Sequence, residues 1–105
     1  MNTYLTVKKY FKELSRIPRI PLKEEKMRAW IIEWAHKKNW IYTVDEIGNL
    51  LVLAPGNQNK ILCLQAHMDM VCVADKKYDF DTQGIKIIEK DGVIRAKNTS
   101  LGADN

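Results

Sequence analysis

Apolar residues fall at helical spacing over the first third of the chain and at strand spacing after it. Val7, Tyr10, Phe11 and Leu14 recur at i, i+3, i+4 and i+7, with Lys8, Lys9, Lys12 and Glu13 between them, which predicts an amphipathic helix over residues 3–16. Ser15-Arg-Ile-Pro-Arg-Ile-Pro21 ends it, because each proline biases its predecessor away from helix and leaves a short extended connector. Met27, Trp30, Ile31, Trp34 and Ala35 form a second stripe, predicting a helix from Leu22 to Lys38 with Pro21 near its start. The two tryptophans of that stripe read as core, and His36 as a solvated histidine in the last turn.

Three strands are then expected. Trp40–Val44 and Asn49–Ala54 flank a turn at Asp45–Asn49 and read as an antiparallel hairpin. Lys60–Ala66 is apolar on both faces, the pattern of a central buried strand. Residues 74–82 are polar and loop-like. A second hairpin is predicted from Gly84–Glu89 and Val93–Ala96 around Lys90-Asp91-Gly92, and residues 97–105 read as loop. The expected class is α/β: two helices followed by a mixed sheet with hairpins.

Composition narrows this to an ordinary globular chain. Of 105 residues, 46% are hydrophobic, enough for one small domain with a core and too many for whole-chain disorder. No apolar run approaches the roughly 20 residues that span a membrane, and the N-terminus has no signal-peptide pattern, so a cytoplasmic location is expected without membrane partners. The net charge of +4 is uneven: residues 1–38 carry ten Lys and Arg against four Glu. These cations are scattered along helical polar faces, which indicates solvated surface and no nucleic-acid partner. Cys63 and Cys72 have the spacing of neither a redox pair nor a zinc knuckle, and read as a buried strand thiol and a neighbour.

The candidate chemistry follows the third predicted strand. His67 and Asp69 are two residues apart, so in an extended segment their side chains share a face. A metal-binding imidazole commonly has a carboxylate that fixes its tautomer. A satisfied structural histidine remains the alternative, since by composition the pair is a weak motif. Asp104, in Gly102-Ala-Asp-Asn105, lies in an ordinary turn composition. One His and two Asp do not complete a zinc centre, which usually takes three protein ligands when catalytic and about four when structural.

At this point the residues match a known family. His67-Met-Asp-Met-Val-Cys72, taken with Lys97-Asn-Thr-Ser-Leu-Gly-Ala-Asp-Asn105, resembles the bacterial aminoacyl-histidine dipeptidases, also called cytosol non-specific dipeptidases, of the M20 metallopeptidases. Phe11–Arg19 resembles their first helix and connector, Asp45–Asn49 their hairpin turn, and Tyr78–Phe80 a segment after the metal loop. The resemblance implies the N-terminal part of a zinc-peptidase-like catalytic domain. His67 would be a metal ligand, Asp69 the catalytic carboxylate that holds its imidazole, and Asp104 a carboxylate bridging two divalent ions. Zinc is the first expectation for those ions, with cobalt or manganese as alternatives. The implied reaction is hydrolysis of Xaa-His and other unblocked dipeptides by a metal-activated water.

The sequence departs from the family at Val73, where Glu is usual, at Ala66 and Asn98, where Gly is usual, and at Pro21. The family's general-base glutamate, its other ligands and its lid domain have no counterpart here. Residues 1–105 are therefore read as a truncated part of the catalytic domain, with an incomplete metal site and no activity alone. Aminotripeptidases of the same group are the runner-up, with Met70 and Asn105 favouring the dipeptidases. The remaining expectation is a non-catalytic piece that forms homo-oligomers or self-associates through exposed apolar surface.

Overall fold

The computed structural model describes residues 2–57 and 59–102, so Asp104 and the end of its motif lie outside the described residues. The elements are α1 (Thr3–Ser15), α2 (Glu25–Lys37), β1 (Ile41–Val44), β2 (Leu50–Leu53), β3 (Ile87–Lys90) and β4 (Val93–Ala96). The α/β class stands: among the described residues there are two helices and two separate two-stranded antiparallel sheets instead of one mixed sheet. The chain divides into two compact units, residues 1–27 with 68–105, and residues 28–67.

In the first unit, Asn2 caps α1: its side-chain oxygen accepts from the Leu5 amide at 3.3 Å. Tyr10, Phe11 and Leu14 are half-buried, whereas Val7, at the open end of the stripe, is exposed. After Ser15 the connector pairs through its carbonyls. Ser15 O accepts from the Ile85 amide at 2.7 Å, and Arg19 O from the Met70 amide at 2.9 Å. Ser15, Arg19, Met70 and Ile85 are all buried, so these two bonds lie where an unmade one costs most. Lys8 and Lys12 both bind the Glu89 carboxylate, the second at 2.8 Å, and hold it below its ordinary pKa. These are solvent-facing pairs, and packing dominates over them.

The 87–96 hairpin follows the sequence pattern. Asp91 and Gly92 have φ of 53° and 74°, the two left-handed residues of a type I′ turn. Its ladder continues with the Lys97 amide donating to Lys86 O at 2.8 Å. Residues 74–82 are loop with one exception, since Ala74 forms an isolated antiparallel bridge with Thr99. Asp79 organises the rest: its carboxylate accepts from the Asp81 amide at 3.1 Å and the Thr82 hydroxyl at 2.6 Å.

Helix α2 starts at Glu25, at the end of the first unit's N-terminal segment, three residues later than the periodicity suggests, and most of it lies in the second unit. Pro21 and Leu22 form a turn instead, with the Lys23 amide donating to Ile20 O at 2.9 Å and Leu22 at φ 69°. The helix ends in a Schellman motif: Asn39 is left-handed, and the Trp40 amide reaches back to Ala35 O at 2.9 Å. Trp40 then packs edge-on against Trp34, ring centroids 5.1 Å apart, with the Lys38 ammonium over both rings. His36 is exposed, as expected. The β1–β2 turn is held by Asp45, whose carboxylate accepts from the Asn49 side chain at 2.7 Å and from the Ile47 and Asn49 amides.

The third predicted strand is a correction. Residues 61–66 form no strand, and Ile61, Leu62 and Leu64 are 92%, 84% and 86% exposed. A strand exists only through its ladder, and this segment has no ladder partner among the described residues. Cys63 is consequently exposed, where burial on a strand was expected, and Cys72 is half-buried; both are free thiols.

The Ile85 bond to Ser15 depends on its neighbour having no side chain. A Cβ on Gly84 would lie 2.1 Å from Arg16 O, whereas one on Gly56 would meet nothing within 4 Å. Gly84→Ala should lower stability by about 2 kcal/mol or more, since backbone must shift to admit the methyl. Gly56→Ala should stay within about 0.5 kcal/mol. Urea unfolding midpoints of the two variants check this, and equal midpoints would refute the close approach.

Candidate functional site

The structure describes two of the three sequence-predicted site residues. His67 is exposed and ends the second unit; Asp69 is half-buried in the first. The same-face argument for this pair assumed an extended segment, whereas the chain bends at Met68 between them.

In the first unit, the segment that follows Asp69 is held at two points. Met70 is 3% exposed, its amide bound to Arg19 O, and the Arg19 guanidinium lies 3.8 Å from the Met70 sulfur. Downstream, residues 71–75 run against residues 98–100. The Ser100 amide donates to Val73 O at 2.7 Å, and the Asp75 amide to Asn98 O at 3.1 Å. The Ser100 hydroxyl accepts from the Val73 amide at 3.0 Å and donates to Val71 O at 2.9 Å. Sequence reasoning missed Ser100 because a serine in a polar loop carries no periodic signal.

Cys72 lies in the same segment, its sulfur 3.1 Å from Met70 O. Burial pushes the thiol above its ordinary pKa; Arg19 opposes this and Asp69 adds to it. The thiol is thus protonated at neutral pH, consistent with an inert cysteine.

Nitrogen from His67 and oxygen from carboxylates are donor types that suit zinc and related divalent ions. Their number falls short: the described residues contain no group of three His, Cys, Asp or Glu side chains placed to hold a metal ion. Among the described residues no helix is long and apolar enough to cross a membrane.

Asn98, one of the departures noted above, has φ 62°. That is the left-handed region, where glycine is unstrained and asparagine is the most tolerated alternative. The substitution therefore keeps the backbone path between β4 and Ser100.

The comparisons with known proteins agree with the motif resemblance. The chain is 35% identical over 101 residues to the cytosol non-specific dipeptidase of Escherichia coli (strain K12), a match covering 90% of this chain and 21% of the relative. It superposes with a TM-score of 0.79 and 32% identity on the crystal structure of aminoacylhistidine dipeptidase from Vibrio alginolyticus, covering 91% of this chain and 21% of that one. No family model matches the chain. Its homologues are thus dipeptidases, and it spans about a fifth of the length of the relatives it matches.

If Asn98 is a tolerated stand-in for glycine, Asn98→Gly should leave the thermal midpoint unchanged or slightly higher. Asn98→Val should cost about 1–2 kcal/mol, because a β-branched residue resists positive φ. Equal midpoints for the two variants would contradict this backbone reading.

Proposed function

We propose that this chain carries the N-terminal part of the catalytic domain of an M20-type metallodipeptidase acting on Xaa-His and other unblocked dipeptides. The observation that carries the proposal is its likeness, at 32–35% identity over about nine tenths of its length, to two dipeptidases. A cytoplasmic location belongs to the same proposal and rests on the word cytosol in the relative's name.

In this reading His67 supplies a ligand nitrogen, Asp69 holds the imidazole in one tautomer and orientation, and Asp104 supplies a shared carboxylate. The half-burial of Asp69, next to the anchored Met70, supports a carboxylate that orients another group. A pair of divalent ions, zinc first, would polarise the peptide carbonyl and lower the pKa of a bound water. Hydrolysis also needs a base to take the water's proton and an acid to deliver it to the leaving amine. The family's glutamate for that task has no counterpart among these 105 residues, so they bind metal weakly and do not turn over substrate.

Two measurements test this. Zinc titrated against a competing chelator should bind the purified chain, and His67→Ala should weaken that binding by about tenfold or more. β-Alanyl-histidine should survive incubation with the chain in excess zinc. Zinc binding indifferent to His67 would remove the site assignment, and hydrolysis of the dipeptide would overturn the claim of inactivity.

A second reading, self-association with further copies of this chain, is favoured by the exposure of Ile61, Leu62 and Leu64. Burying one such side chain is worth about 1.5–3 kcal/mol, and a segment with no ladder partner among the described residues offers its backbone groups to another chain. Light scattering should then give a mass above 12.2 kDa that falls towards it when Leu62 and Leu64 are both changed to Lys. A wild-type chain that is monomeric at high concentration would exclude the second reading without affecting the first.

A further inference from the structure

Cations that are scattered along the sequence meet at one place in the first unit. A cavity of about 350 Å³ lies between the C-terminal half of α1 and the entry to β3, lined by Lys12, Arg16, Ile85, Lys86, Ile87 and Glu89. That volume is at the small end of the roughly 300–1,000 Å³ in which proteins hold small ligands. Three cations and one carboxylate line it, a balance of +2. The carboxylate is already engaged, since Lys8 and Lys12 both bind Glu89. Among the described residues, no carboxylate pairs with Arg16 or Lys86.

Backbone bonds set these two cations in place. Each directly follows one end of the bond between the Ser15 carbonyl and the Ile85 amide, which joins two buried residues. The Lys86 carbonyl also accepts from the Lys97 amide at 2.8 Å, and the Arg16 amide donates to Glu13 O at 3.3 Å. Their main chains are thus ordered before a ligand arrives, and only side-chain freedom is left to lose on binding. The end of α1 opposes an anion with a partial charge of about half a unit, which is smaller than the lining charge.

We propose that this cavity binds a small phosphate-bearing anion through Arg16 and Lys86, with Lys12 shared between the ligand and Glu89. The planar guanidinium fork suits two oxygens of one phosphate, and the ammonium groups supply point charges to the others. A phosphate monoester carries about −1.5 to −2 at neutral pH, which matches the lining charge, whereas a single carboxylate matches only half of it. Glu89 competes with the ligand for Lys12. The proposal is independent of the metallodipeptidase reading.

The test titrates inorganic phosphate into the whole chain at low ionic strength and follows backbone amide shifts by NMR. The Arg16, Ile85 and Lys86 amides should move along one saturating curve. Arg16→Gln and Lys86→Gln should each weaken binding by about fivefold or more. Lys38→Gln, which removes the same charge from the second unit, should change it by less than about twofold. Glu89→Gln should tighten binding by about twofold or more, because it removes the opposing charge and releases Lys12. Acetate should bind at least about fivefold more weakly than phosphate. Equal losses for Lys38→Gln and Arg16→Gln would reduce the effect to general attraction by a chain of net charge +4 and overturn the site. Shifts confined to other amides, or acetate binding as tightly as phosphate, would overturn it as well.

Discussion

The first unit depends on how the stretch from Ser15 to Arg19 meets its hydrogen-bonding obligations. A helix leaves its last carbonyls without intrahelical partners, and a proline-containing connector has fewer amides with which to form a regular element. Here the carbonyls of Ser15 and Arg19 are taken by the amides of Ile85 and Met70, and all four residues are buried. The same few residues therefore end α1, register the entry to β3 and anchor the segment that carries Asp69. Gly84 makes this possible, since any side chain there would occupy the space of the Arg16 backbone. Tyr78 reinforces the point, its hydroxyl donating to Gly84 O while its ring packs on Phe80.

Elements that solve their own conformational problem were legible in the sequence. Asp91-Gly92 supplies both left-handed residues of a type I′ turn, and the hairpin forms around it. Asp45 and Asn49 close the other turn with their own side chains. The helices follow from periodicity, although α2 starts late because Pro21 and Leu22 settle into a turn. What failed was the stretch from Lys60 to Ala66. Apolar character on both faces records the surroundings a segment is suited to, and says nothing about whether those surroundings are present. With no ladder partner among the described residues, Ile61, Leu62 and Leu64 stay in water.

The same distinction governs the candidate site. His67 and Asp69 were found by spacing, but the spacing argument assumed an extended segment, and the chain bends at Met68 between them. The site assignment therefore now draws its support from the motif resemblance and from the dipeptidase homologues, not from alternation. Ser100 is the opposite case: composition gave no reason to single it out, yet its hydroxyl is the densest link between the two segments of interest.

These observations bear on each other. The chain spans 21% of each of the two dipeptidases it resembles, and its exposed apolar segment adjoins its candidate site residues. Among the described residues, 61–66 carry a strand's apolar faces without a sheet, and His67, which directly follows them, has fewer companion donors than a metal centre takes. Had only the donors been short, a weak peripheral ion site would explain His67; had only the packing been short, an aggregation-prone loop would explain Leu62 and Leu64. Both shortfalls adjoin at one point in the chain. The apolar faces of residues 61–66 and the position of His67 are thus one question about the same stretch of chain. Within the first unit, Met70 and Ser100 hold residues 70–75 in place, so the segment that follows Asp69 is ordered by its own hydrogen bonds before anything binds to it.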